Sequence, residues 1–197
     1  MEYAYPRLGQ ILRVALPALL VAQFIVWPMT GLLNPHLGIV ATELVIIWFM
    51  AFYIRRSRFE AENLLLFNAT PLPTLLIVFP TAIGASLLVA EFDLYTSALL
   101  RLFDLGAPLS LQRNLLEIQI VRDYSELPKV LFAVVFLPGI CEELFFRGFV
   151  FTGLYFHYGP KTALFFSALL FAAAHFNPWQ LPALFIFGLF LAALAYW

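Results

Sequence analysis

The chain has 197 residues, 63% of them hydrophobic and 12% charged, with a net charge of −1 and a mean hydropathy of +0.91. Soluble domains carry roughly 25% charged residues, so this chain has too few to clothe a water-facing surface, and lipid is its expected solvent. The near-neutral charge speaks against a nucleic-acid partner, which wants a clear excess of Lys and Arg, and the one cysteine, Cys141, excludes an internal disulfide.

A spanning helix needs about 20 mostly apolar residues. The amino terminus does not read as a cleavable signal, because the apolar run after Arg13 is too long and no small-residue cleavage site follows it. Residues 11–33 are expected to form a first span, softly broken by Pro17 and Pro28, and Asn34, Pro35 and Gly38 mark a turn. A second span is expected over residues 39–54, with Glu43 near its start and Arg55, Arg56 and Arg58 at its end. A third is expected over residues 72–90.

Charges return between Glu91 and Lys129, with apolar residues among them at helical spacing. This pattern predicts amphipathic helices at the membrane interface, broken near Gly106 and Pro108, although an extramembrane helical loop has the same signature. Three further spans are expected over residues 130–156, 160–176 and 179–197, separated by turns at Tyr158-Gly159-Pro160 and Asn177-Pro178. The expected fold is therefore an all-α, multi-span transmembrane bundle of about six spans plus interfacial helices. It divides into N-terminal membrane helices (residues 1–90), an interfacial segment (91–129) and a C-terminal helical unit (130–197). With six spans, Arg7, Arg13, Arg55, Arg56, Arg58 and Lys161 share one side, expected to be cytoplasmic.

The C-terminal unit holds four residues of the Asp, Glu, Lys and Arg types, and three of them, Glu142, Glu143 and Arg147, fall within six positions. A charge at the centre of a spanning helix costs roughly 2.5–3.5 kcal/mol, so this cluster needs an offset. Glu143 and Arg147 lie four apart with the acid first, the favourable order for an ion pair on one helix face. Glu142 lies about 100° around the helix from Glu143 and is the carboxylate less neutralised by Arg147. Glu142 is 14 residues before Phe156, and His175 is 14 residues after Lys161. At about 1.5 Å per residue both lie roughly 21 Å from the same turn, so an antiparallel hairpin brings carboxylate and imidazole to one depth. Pro138 can kink the first helix, Ala168, Ala172 and Ala173 permit close helix approach, and Ser167 can add a polar contact. Plainer readings stand beside this one: Glu143 and Arg147 as a purely structural pair, His175 as a helix-end residue, and Cys141 as packing.

These residues resemble the CAAX prenyl protease and bacteriocin-processing (CPBP, Abi) family of intramembrane proteases. The Glu-Glu-x-x-x-Arg motif reads Glu142-Glu143-Leu144-Phe145-Phe146-Arg147, followed by Gly148, and the Phe-x-x-x-His motif reads Phe171-Ala-Ala-Ala-His175. The resemblance covers residues 127–197. It implies hydrolysis of a peptide bond within the membrane, with Glu142 and His175 as catalytic residues that activate a water and Glu143 and Arg147 in support. It implies no cofactor, a peptide or membrane-protein substrate, membrane lipid as partner, and residence in a prokaryotic cell membrane. The family's third motif, a His followed four residues later by Asn or a similar residue, does not follow His175. The chain is therefore expected to be either a piece of a longer protein or a departure from the family. Two alternatives remain. One is a metal-dependent protease with Glu142, Glu143 and His175 as zinc ligands, which Arg147 opposes. The other is a non-enzymatic membrane scaffold or immunity protein.

Overall fold

The computed structural model describes residues 5–57, 59–65 and 71–197, and its regular elements are all helical. Arg58, one of the residues expected on the positive side, lies outside the described residues. Helix α1 spans Leu8–Thr30 and α2 spans Pro35–Arg56. After a single turn at Ala61–Leu64 come α3 (Leu72–Leu102) and α4 (Leu109–Gln119). Helix α5 runs without interruption over residues 127–158, and α6 (Pro160–Ala174) and α7 (Leu181–Tyr196) complete the chain.

Three helices, α1, α2 and α3, are long and apolar enough to cross a membrane. The chain is thus a membrane protein by helix length and composition. The expected count of six spans is not reached on those criteria, because α6 and α7 are shorter apolar helices and α5 carries the charged cluster. The expected third span also changes shape: its helix does not stop at Ala90 but continues through Glu91 and Asp93 to Leu102. The break expected near Gly106 and Pro108 is present, and α4 begins immediately after Pro108.

Local chemistry sets the helix ends. The Asn34 side chain accepts a hydrogen bond from the Leu37 backbone N–H at 3.2 Å, capping α2, whose first residue, Pro35, needs no partner for a missing N–H. Between α5 and α6 the chain reverses at Gly159, whose φ of 81° lies in the left-handed region that glycine enters at no steric cost. Pro160 then starts α6 at its first position. This two-residue reversal makes α5 and α6 an antiparallel hairpin.

Helix α5 is not a uniform α-helix. Wide turns with i→i+5 hydrogen bonding occupy Leu131–Phe136 and Glu143–Phe151, on either side of the stretch that contains Pro138. Pro138 has no N–H to give to the ladder, and widened turns absorb such defects. The second wide segment buries Phe145, Phe146, Arg147, Gly148, Phe149, Val150 and Phe151.

The core gathers around that segment. Helix α1 contributes Ile11, Val14 and Ala15, α2 contributes Met50 and Ile54, and α6 contributes Ala163 and Phe171. Helix α1 runs antiparallel to α5, since Tyr5, just ahead of it, stacks on Phe156 at 3.7 Å, and α2 runs parallel to α5, with Tyr53 edge-on to Phe149 at 6.0 Å. Helix α7 lies close on α6, where a Cβ on Gly188 would come within 3.0 Å of the Ala168 backbone. In lipid, water release does little to hold helices together, so such close van der Waals approach carries much of the packing. Helix α3 packs on α7, and its most apolar stretch is entirely unburied.

Candidate active site on the α5–α6 hairpin

Glu142 ends the regular stretch of α5 and Glu143 and Arg147 lie in the wide segment after it; Glu142 and Arg147 meet the last turn of α6. Arg147 Nη1 lies 3.1 Å from Glu143 Oε1, the i,i+4 pair expected from their spacing. The two partners differ in setting: the Arg147 side chain is 5% exposed and that of Glu143 46%. The guanidinium also lies over the Phe171 ring, 4.6 Å from its centroid, a cation–π contact that gives the buried cation a second favourable neighbour. None of its three nitrogens makes a hydrogen bond, so the contact with Glu143 is an ion pair alone.

Glu142 and His175 are at one depth, with His175 Nε2 3.9 Å from Glu142 Oε1 and the two side chains 31% and 25% exposed. The other ring nitrogen, Nδ1, is 2.8 Å from the Phe171 carbonyl oxygen. A carbonyl only accepts, so Nδ1 carries the hydrogen and the ring is held with Nε2 turned toward Glu142. At 3.9 Å carboxylate and imidazole are too far apart for a direct hydrogen bond, and the gap is wide enough to seat one water about 2.8 Å from each.

Phe171 links the two motifs, a role that its presence in the sequence pattern did not reveal. Its ring carries the Arg147 guanidinium on α5, its carbonyl orients His175, and its ring meets the imidazole edge-to-face at 4.8 Å. Ser167, one helical turn earlier, donates from its hydroxyl to the Phe146 carbonyl at 3.1 Å, which ties α6 to α5 next to the charged cluster. Directly after His175 the chain leaves the helix through Phe176, whose φ of 49° places a bulky residue in the left-handed region, at a cost of about 1–2 kcal/mol. The Phe176 ring is packed edge-on against Phe24 of α1 at 5.4 Å. Asn177 closes the turn, donating from Nδ2 to Gln180 Oε1 at 2.8 Å.

A further carboxylate borders the site. Glu43 of α2 is only 8% exposed, and its Oε2 has no hydrogen-bond partner. Its helix packs on the stretch of α5 that ends in Cys141 and Glu142. Sequence reading noted Glu43 inside an apolar span but gave it no role. The available signal was its register, since Glu43, Met50 and Ile54 fall at i, i+7 and i+11 on one face of α2.

Glu143 is engaged by Arg147, and among the described residues no three His, Cys, Asp or Glu side chains gather as a cation site. Zinc sites use three or four such ligands. Two clefts of about 280 and 310 Å³ border α3 and the start of α7. Asp93 and Gln180 line both, and neither includes Glu142 or His175.

Residues 125–197 match a family model described as Rce1-like, type II CAAX prenyl endopeptidase. This segment contains both motifs, and the description of the matching model agrees with the resemblance they carry. No curated protein and no solved structure matches the chain.

Proposed function

We propose that the α5–α6 hairpin is the water-activating centre of an intramembrane endopeptidase of the CAAX-processing type. The observation that carries this reading is the 3.9 Å separation of His175 Nε2 and Glu142 Oε1 between two apolar helices. A water between them gives a proton to Glu142, and its oxygen attacks the carbonyl carbon of the scissile peptide. The tetrahedral adduct collapses with cleavage of the C–N bond, and the proton passes from Glu142 to the leaving amine. His175, held by the Phe171 carbonyl, keeps the water in line, and Glu143 with Arg147 fixes the helix face from which Glu142 projects.

Helix length supports an intramembrane location. At about 1.5 Å per residue, the 15 residues of α6 reach roughly 22 Å, short of a hydrocarbon core about 30 Å thick. A helix of that length, starting at one membrane face, leaves His175 inside the bilayer rather than at the far surface. In this reading α5, α6 and α7 enter the membrane together with α1, α2 and α3, and the arginines of α1 and α2 face the cytoplasm. The segment's family supports a prenylated carboxy-terminal peptide as substrate over a bacteriocin precursor.

The test uses the full-length protein in lipid nanodiscs with a prenylated CAAX peptide. Cleavage should occur, should persist after exhaustive chelation, and should vanish in Glu142→Ala and fall sharply in His175→Ala. Normal cleavage by a well-folded Glu142→Ala protein refutes the proposal, and loss of activity on chelation refutes its metal-free form.

A further inference from the structure

Outside the two motifs, the buried group least accounted for is Glu43. It is about nine-tenths buried on an apolar helix, and no cation stands on its own helix before Arg55. One of its oxygens lacks any hydrogen-bond partner, whereas buried polar atoms are nearly always satisfied. A carboxylate left this way costs far more than an apolar residue of the same size, so a purely structural role does not explain it.

Position explains it better. Tyr53 and Phe149 meet across α2 and α5, which run parallel. Glu43 lies ten residues before Tyr53 and Glu142 seven before Phe149, so their depths differ by about 4.5 Å, less than one helical turn. Helix α2 also packs directly on Leu137–Glu142. Glu43 belongs to the face of α2 that includes Met50 and Ile54, which join the core around α5. The ionisable groups on the Leu137–Glu142 stretch that packs on α2 are the Cys141 thiol and the Glu142 carboxyl, with Glu143 next along the helix, Arg147 about one turn beyond it and His175 across from Glu142 on α6. Three carboxyl groups thus share one permanent cation, Arg147. A proton held between Glu43 and Glu142 removes one of the two excess negative charges from so apolar a place.

We infer that Glu43 is a positioning residue of the catalytic centre, holding the Glu142 carboxyl toward His175 by sharing a proton with it, directly or through one water. The inference rests on the protease reading above. It adds a group from α2, outside the segment that matches the family, and so makes the N-terminal helices part of the catalytic apparatus rather than its support.

The experiment compares Glu43→Leu, Glu43→Gln and Glu142→Ala in the full-length protein, in nanodiscs, against a prenylated CAAX peptide. Glu43→Leu should lose about 10–100-fold in kcat with KM within about twofold of the parent, the usual scale for a group that orients a catalytic one. Glu43→Gln, whose amide can donate to the Glu142 carboxylate as a protonated carboxyl does, should recover most of that loss. Because the amide does not titrate, its kcat–pH profile should be displaced from the parent's. Should Glu43→Leu fail to accumulate in the membrane, Glu43→Ala takes its place. Parental kcat in the apolar variant, a Glu43→Gln protein no better than it, or a Glu43→Gln profile superimposed on the parent's each overturns the inference. Glu142→Ala separates the two claims, since its inactivity leaves the protease reading standing whichever way Glu43 falls.

Discussion

Helices α3 and α6 are both apolar, yet they are built for different neighbours. Helix α3 has 31 residues with nothing buried in its most apolar stretch, and open space surrounds Gly84. Helix α6 has 15 residues and buries Ala163, Ser167, Ala168, Phe171 and Ala172 against α5 and α7. Hydrophobicity does not distinguish them, because lipid and protein interior are equally apolar. What distinguishes them is the placement of small and polar side chains: an alanine where α7 must come close, a serine that reaches the α5 backbone, and a histidine at the last turn. In this molecule small residues set contact, and charged residues set chemistry.

The largest expected effect at the α5–α6 side of this comparison is catalytic. Glu142→Ala should reduce peptide cleavage by about 10²–10⁴-fold, the scale of a lost general base, while leaving the unfolding midpoint in detergent near the parent's. Next comes an asymmetry within the ion pair. Glu143→Ala strands a buried guanidinium and should cost about 3 kcal/mol in a reversible detergent-unfolding titration. Arg147→Ala leaves behind a carboxylate that is already half exposed and should cost less. Equal costs would mean that Arg147 is balanced by Glu142 and Phe171 rather than by Glu143.

Smaller effects bear on packing alone. Gly188→Leu forces a side chain into the Ala168 backbone and Phe171 ring and should destabilise by about 1–3 kcal/mol. A Cβ at Gly84 on α3 has nothing within 4 Å, and Gly84→Leu should stay within about 0.5 kcal/mol of the parent. If the two substitutions behave alike, the contrast between the helices fails. Ser167→Ala should cost least, about 1 kcal/mol for the lost bond to the Phe146 carbonyl, read in the same titration.

Much of the site was legible because it lies on two helices joined by a tight turn. Over that distance residue counting becomes depth, and Glu142 and His175 are found level, as 14 residues on each side of the turn require. The same counting cannot relate α2 to α5, which are separated by much of the chain, so Glu43 was visible only as a charge near the start of a span. Span bounds were less legible for a related reason. Apolar length was read as helix length, whereas α6 ends at Ala174 and α3 continues past its first charges to Leu102. Helix propagation is cooperative and does not stop at a lone Glu91, while the ends of α6 are set by its turn residues.

By itself, the sequence determined that the chain is helical and lives in lipid, that Glu143 and Arg147 pair, and that Glu142 faces His175. Each of these follows from composition or from helical spacing within one hairpin, where bond geometry leaves little freedom. Only the tertiary structure decided that Phe171 carries Arg147 and orients His175, that the helix of Glu43 packs beside Glu142, and that α3 stands apart from the core. Those facts depend on which apolar faces meet, and apolar faces are interchangeable in sequence until backbones come close enough for particular side chains to touch.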